Sequence, residues 1–169
     1  MRRAILLFAV LALTTAGTWR HGDAYVLHAG KTDVVMTSTT MRELPALLRR
    51  FGDTPYLWVR LGSREYLIRD EALLRQAVSL WEPVHALSPE QKELGEEEAQ
   101  LDDRIDAIED GHAKASEGEL SRLRERYHVV SERMRALDER SEALEKVVEA
   151  KLRQLVDEAI RDGRAKELR

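Results

Sequence analysis

Short β-prone runs separated by turn residues and one short helical stretch fill the chain from residue 24 to 69, with period-two alternation clear from Leu57 to Ile68, and a helical period takes over after Asp70. The runs 24–28 (Ala-Tyr-Val-Leu-His) and 33–37 (Asp-Val-Val-Met-Thr) are short and β-prone, and the intervening Ala29-Gly30-Lys31-Thr32 predicts a hairpin. Thr40 and Glu43 have capping-box spacing ahead of Leu44, Leu47 and Leu48, so a short helix ending at Gly52 is expected. Pro45 would forfeit a bond inside a helix begun at Thr40, which moves the expected start a residue or two later. The clearest strand signal is 55–61 followed by Gly62-Ser63 and 64–69. A two-residue turn pairs Leu61 with Arg64, Arg60 with Glu65, Val59 with Tyr66 and Leu57 with Ile68. Alternation then puts Leu57, Val59, Tyr66 and Ile68 on a core face, with Trp58, Arg60, Glu65, Leu67 and Arg69 opposite. Arg60 facing Glu65 reads as an exposed ion pair.

Asp70 suits an N-cap for a helix over 71–81, where Leu73, Leu74, Ala77, Val78 and Trp81 form a stripe that covers the sheet; Pro83 then closes this head. Ser88-Pro89-Glu90-Gln91 combines a cap, a first-turn proline and a capping-box glutamine. Leu94, Leu101, Ile105 and Ile108 follow at coiled-coil spacing, up to a stop at Asp110-Gly111. Ser116 and Glu119 open a second helix. Its seam is Leu120, Tyr127, Met134, Ser141, Val148 and Leu155 interleaved with Leu123, Val130, Leu137, Leu144 and Lys151, apolar except at Ser141 and Lys151. Beyond Leu144 the stripe drifts through Val148, Leu152, Leu155, Ala159 and Ile160, nearer to a 3.6 repeat, and ends at Asp162-Gly163.

At 1.5 Å per residue, the helix over 89–110 is about 33 Å long and the one over 117–161 about 68 Å. The shorter helix therefore covers about half of the longer one's seam, and the rest has to dock on the head, pair with a second copy or bind a client. The expected fold is α+β: a small antiparallel β-hairpin head with short helices (17–83), then a long antiparallel helical hairpin or coiled coil (84–162) and a polar end (163–169).

The N-terminal residues read as an address. Arg2 and Arg3 precede an unbroken apolar run from Ala4 to Leu13, and Thr14-Thr15-Ala16 offers a small-residue cleavage site, so 1–16 is expected to be a secretory signal peptide. The alternative is an uncleaved inner-membrane anchor, with Trp19 at the interface and membrane contact through this segment alone. Either one places the remainder in the periplasm or outside the cell. The charged content of 34% against 5% aromatics agrees with narrow, well-solvated helices. Net charge is -4 and becomes more negative without Arg2 and Arg3, which argues against nucleic acid as a partner. Without cysteine there is no disulfide framework, thiolate metal site, cysteine nucleophile or lipoprotein anchor.

Neither a zinc-protease His-Glu-x-x-His, nor a phosphate-binding glycine loop, nor Gly-x-Ser-x-Gly occurs. His21, His28, His85, His112 and His128 never fall three or four residues apart, and they read as solvated or seam-edge residues. His112 and His128 meeting across the hairpin would still be an incomplete metal site. Glu96-Glu97-Glu98 with Asp102-Asp103 reads as a solvated face. Glu132 and Glu139 on a coiled coil lack the pocket that acid–base chemistry requires. No catalytic residue, metal site or cofactor is expected. Tyr56, Trp58 and Trp81 either form a recognition patch or hold the sheet to its covering helix. The candidate interaction surface is Trp58 with Met134, Leu137, Leu144, Val148, Leu152 and Leu155.

The stretch Pro55-Tyr56-Leu57-Trp58-Val59-Arg60 with Gly62, followed by 64–70, resembles a "PYLWFR-DG-REYVIRD" segment. That segment belongs to predicted exported bacterial proteins and to regions that follow beta-lactam-sensor-type metallopeptidases. The likeness spans roughly residues 24–95 and lacks the peptidase motif, so it implies an extracytoplasmic accessory or sensor-like module without proteolysis. Leu87-Ser88-Pro89-Glu90-Gln91 is similar to the LTXXQ element of the CpxP and Spy periplasmic chaperones, although it occurs once, has Ser for Thr and follows a β head. The expected function is a non-enzymatic extracytoplasmic interaction or scaffold protein that acts through its coiled-coil tail on a protein partner or a second copy. The alternative is an LTXXQ-type chaperone or envelope-stress sensor.

Overall fold

The computed structural model describes Trp19 and residues 22–30, 34–37 (backbone only), 43–116 and 118–168. The proposed signal peptide, His21 and the capping position Thr40 lie outside the described residues. The chain runs β1 (Ala24–His28), β2 (Val34–Thr37), α1 (Leu44–Phe51), β3 (Tyr56–Leu61), β4 (Arg64–Ile68), α2 (Glu71–His85), α3 (Ser88–Glu109), α4 (Glu119–Arg161) and β5 (Ala165–Leu168). The fold is α+β, as the hydropathy pattern implies.

Five antiparallel strands form one sheet in the order β2-β1-β3-β4-β5. The β3–β4 register pairs Leu57 with Ile68, Val59 with Tyr66, Arg60 with Glu65 and Leu61 with Arg64, as the Gly62-Ser63 turn dictates. Gly62 has φ of 60°, a backbone state that tight hairpins require and that L side chains resist. The expected Arg60–Glu65 ion pair does not form despite this register. Arg60 instead reaches Glu43 at 3.4 Å and Glu65 takes Arg50 at 3.0 Å, because α1 lies over this face and supplies closer partners for both.

That helix also makes the second face of the sheet a core. Ala24, Val26, Tyr56 and Trp58 are buried with Leu47, while Leu44, Phe51, Leu67 and Leu168 pack at the edge of this cluster. On the other face Tyr25, Leu27, Leu57, Val59 and Ile68 meet Leu73, Leu74, Ala77, Trp81 and Val84 of α2, together with Val148, Leu152, Leu155, Val156 and Ala159 of α4. The head is thus three layers: α1, sheet, and α2 with the end of α4. Every residue of β1 is buried because both of its faces are covered.

Local chemistry explains most element ends. α1 begins at Leu44 with Pro45 in its first turn, where a missing N–H is harmless. Asp70 caps α2, its Oδ1 accepting from Leu73 N–H at 2.9 Å. α3 stops at Asp110, and Gly111 follows with φ of 74°. At the start of α4 the glutamate half of the capping box forms: the Ser116 backbone N–H donates to Glu119 Oε2 at 3.1 Å.

Three expectations about the chain are corrected. Pro83 does not close the head; it lies inside α2, which continues to His85 and turns through Ala86 and Leu87 directly into α3. An interior proline costs about 3 kcal/mol. The side chains around it, Trp81, Val84 and Leu87, are all buried, and each stabilises the continuation by about 1.5–3 kcal/mol. Ser88 is not a cap, because the helical turn at Leu87 precedes it; Gln91 is used across the hairpin, donating to Asp138 Oδ1 at 3.1 Å. The expected polar end at 163–169 instead contains β5, which pairs Ala165 with Ile68 and Leu168 with Glu65 on the sheet edge.

Candidate functional site: the helical arm

α4 has two partners in succession. From Leu123 to Leu144 it lies against α3, with Leu87, Leu94, Leu101, Val130 and Leu137 buried between them and Tyr127 and Met134 filling the margin. From Val148 onward the same helix lies on the sheet and α2. Lys151 is exposed and its neighbour Leu152 fully buried, so the seam has moved by one residue where the partner changes. The drift toward a 3.6 repeat is this change of partner written in the sequence.

The stripe beyond the reach of α3 therefore docks on the head, and the candidate interaction surface is corrected accordingly. Trp58 is buried under α1; Val148, Leu152 and Leu155 belong to the head core; Met134, Leu137 and Leu144 pack inside the arm. None of the seven is a free surface. Tyr56 and Trp81 are buried as well, so the aromatic residues hold the layers together.

What remains exposed is an arm. α3 and the first part of α4 project from the head for about 44 Å, the rise of the residues between Glu119 and Val148. Ion pairs cross the hairpin from Arg104 to Glu119 at 2.9 Å, Arg124 to Glu109 at 2.7 Å, Arg126 to Glu97 at 2.6 Å and Arg133 to Glu90 at 3.7 Å. Ser131 also donates to Glu98. Exposed pairs contribute about 0–1 kcal/mol each, so their main effect is to select one register. The outer surface of α4 carries Val129 and Val147, 53% and 51% exposed, the large apolar side chains left outside among the described residues.

The arm's root is clamped to the head. Arg153 pairs with Asp23 at 3.2 Å, their side chains 15% and 5% exposed, and also with Asp157 at 3.1 Å. Asp23 accepts from Gly62 N–H at 2.9 Å, which brings the β3–β4 turn into the same clasp. The Trp19 ring lies under the Arg153 guanidinium and beside Tyr25, and its indole N–H donates to the Glu149 carbonyl at 2.9 Å. Burial, followed by the Glu149 carboxylate, pushes the Tyr25 phenol well above its ordinary range, so it stays a donor to that carboxylate. Sequence reasoning missed this clasp because its members are 130 residues apart.

His112 and His128 are exposed, and no group of three or more metal-ligating side chains is gathered among the described residues. His28 is a correction: it is 2% exposed, where a solvated or seam-edge residue was expected, because β1 runs between β2 and β3 and the ring stacks on Tyr56. No described helix is long and apolar enough to cross a membrane. Comparison with protein-family models, with curated proteins and with solved structures finds no match.

Proposed function

We propose that this protein is a non-enzymatic, extracytoplasmic interaction protein whose helical arm presents a binding surface at a fixed angle to the head. The observation that supports this reading is the shared helix: α4 is unbroken over 43 residues, its last third in the head core and the rest in the arm. A hinge in α4 would require loss of helical hydrogen bonds or rotation of Val148 and Leu152 out of their seats. The arm is thus a rigid projection, and it acts by what it touches. Its contact chemistry is the outer surface of α4, with Val129 and Val147 set among charges, rather than the seam. The N-terminal segment directs export in this reading, and the clasp at Trp19 and Asp23 is where that segment joins the head.

Photo-crosslinking side chains placed at positions 129 and 147 in intact cells test the proposal. Discrete protein adducts from both arm positions, absent from position 75 on α2, are the expected result. Adducts of twice the chain mass identify self-association. Equal labelling at all three positions, or none on the arm, defeats the reading. Purified protein that suppresses client aggregation, and loses this when 129 and 147 are both changed to lysine, moves the assignment to an envelope chaperone.

A further inference from the structure

At the end of the sheet where β1 finishes and β3 begins, a cleft of about 820 Å³ opens against α2. That is the size range of small-molecule sites, about 300–1,000 Å³. Ala29 and Pro55 form one apolar wall, and Leu74 and Val78 of α2 form the other. Two polar side chains line it from the strands that flank β3: His28 at the end of β1 and Arg69 just after β4. His28 pairs with Tyr56 across β1 and β3, and Tyr56 lies beside the position of Arg69, just beyond the Leu57–Ile68 pair.

His28 is held in one orientation. Its ring stacks on Tyr56 with centroids 5.1 Å apart, and its Nδ1 accepts from Gly30 N–H at 3.2 Å. Gly30 has φ of 103°, and a Cβ there would come within 3.3 Å of Pro55, so the turn that delivers this N–H depends on glycine. With Nδ1 accepting, the ring proton sits on Nε2, which makes no hydrogen bond to a described residue, and His28 contributes the small exposed part of its ring to the cleft lining. Arg69 is equally fixed: Nη1 donates to Thr54 Oγ1 at 2.8 Å and Nη2 to the Phe51 carbonyl at 3.0 Å. Both acceptors are neutral, so its charge is held in place without being cancelled.

The acids in the lining do not change that balance at this end. Glu71 is taken by Arg75 at 3.6 Å, and Glu82 lies about 16 Å further along α2. One end of the cleft therefore offers an oriented imidazole N–H and a positioned cation, and the body of it is apolar. A carboxylate is the ligand group that accepts from an imidazole N–H and a guanidinium alike, and charge-assisted bonds of that kind are the stronger class.

We propose that this cleft binds a small organic acid, its carboxylate at Arg69 and His28 and its apolar body along Leu74 and Val78. The proposal is independent of the arm. Titration calorimetry of the full-length exported protein with phenylbutyrate, and with phenylbutanol as its uncharged counterpart, tests it. The expected result is one site for the acid and binding of the alcohol about tenfold weaker or less. Arg69→Gln is expected to weaken the acid about tenfold while leaving the alcohol unchanged. Val78→Trp, which fills the cleft from the half-buried face of α2, is expected to abolish binding of both, with an unchanged circular dichroism spectrum. No heat from phenylbutyrate up to about 5 mM overturns the proposal, as does equal affinity for acid and alcohol or insensitivity to both substitutions.

Discussion

The two halves of α4 carry the same kind of apolar seam and end in different circumstances. In the arm the seam faces one helix, and Leu123, Tyr127, Met134 and Leu144 stay partly exposed at its margins. In the head it faces a sheet and a second helix, and Leu152, Val156 and Ala159 are fully buried. Heptad spacing is thus a statement about a helix having a partner, while depth of burial depends on how many elements surround it. The arm should consequently be the part that opens locally and the head the part that sets global stability.

Truncation at matched positions is the strongest way to break this comparison. Leu152→Ala removes a side chain enclosed on all sides and is expected to destabilise the whole chain by about 3–5 kcal/mol, read from denaturant midpoints. Leu137→Ala in the arm is expected to lower the midpoint by about 2 kcal/mol, with hydrogen exchange accelerated in α3 and the first part of α4 only. Equal global effects from the two would show that arm and head unfold as one unit.

Cutting the clasp comes next. Arg153→Ala removes the largely buried guanidinium that joins Asp23 to Asp157, which is expected to cost about 3 kcal/mol. The double change of Arg153→Ala with Asp23→Ala should recover part of that loss; strict additivity in thermal melts would mean the pair contributes nothing of its own.

A smaller effect in the opposite direction is expected at Gly95, which lies inside α3. A Cβ there would sit 3.6 Å from the Met134 terminal methyl, an ordinary van der Waals distance. Gly95→Ala should therefore stabilise the arm by about 1 kcal/mol through helix propensity alone. A lowered melting temperature would mean that the two arm helices approach more closely than this geometry.

The subtlest test is acid. A hydrogen bond from Arg104, then the Ser116 backbone N–H, hold the Glu119 carboxyl below its ordinary range. A carboxyl depressed on folding stabilises the fold above its unfolded pKa, and that contribution disappears as pH falls through the lower, folded value. Amide exchange around residues 111–119 should therefore accelerate below the ordinary carboxylate range while the head amides are unaffected. Glu119→Gln should remove that pH dependence.

How much of this was legible depends on the distance over which each decision is made. The β3–β4 register could be read because two residues, Gly62 and Ser63, join the strands and leave one way to pair them. The helix start at Asp70 was likewise local, set by a side chain three residues from the backbone it satisfies. By contrast, α4 starts at Glu119, two residues later than the capping spacing at Ser116 implies, because Gly118 takes the cap position in a left-handed turn. β5 was not legible: Ala-Lys-Glu-Leu has little strand character, and only the open edge of β4 makes it one. The expected Arg60–Glu65 pair failed for a related reason, since two charges placed opposite each other on a sheet do not reveal that a helix will lie over them. Of the three covers that the sequence left open for the far part of the seam, the head is the one that takes Val148, Leu152 and Leu155.

Period, turn chemistry and capping by themselves determined the strands and helices from β1 to α4, though not β5 or the run of α2 through Pro83, and that the long final helix needs cover along most of its length. Only the tertiary structure decided what provides that cover: α3 for the first part and the chain's own sheet and α2 for the rest. Burial of apolar surface is non-directional, so a stripe announces that it will be buried without naming the surface that buries it. The cleft beside His28 and the clasp at Arg153 have the same origin, because each joins residues that come close in space only after the layers have closed.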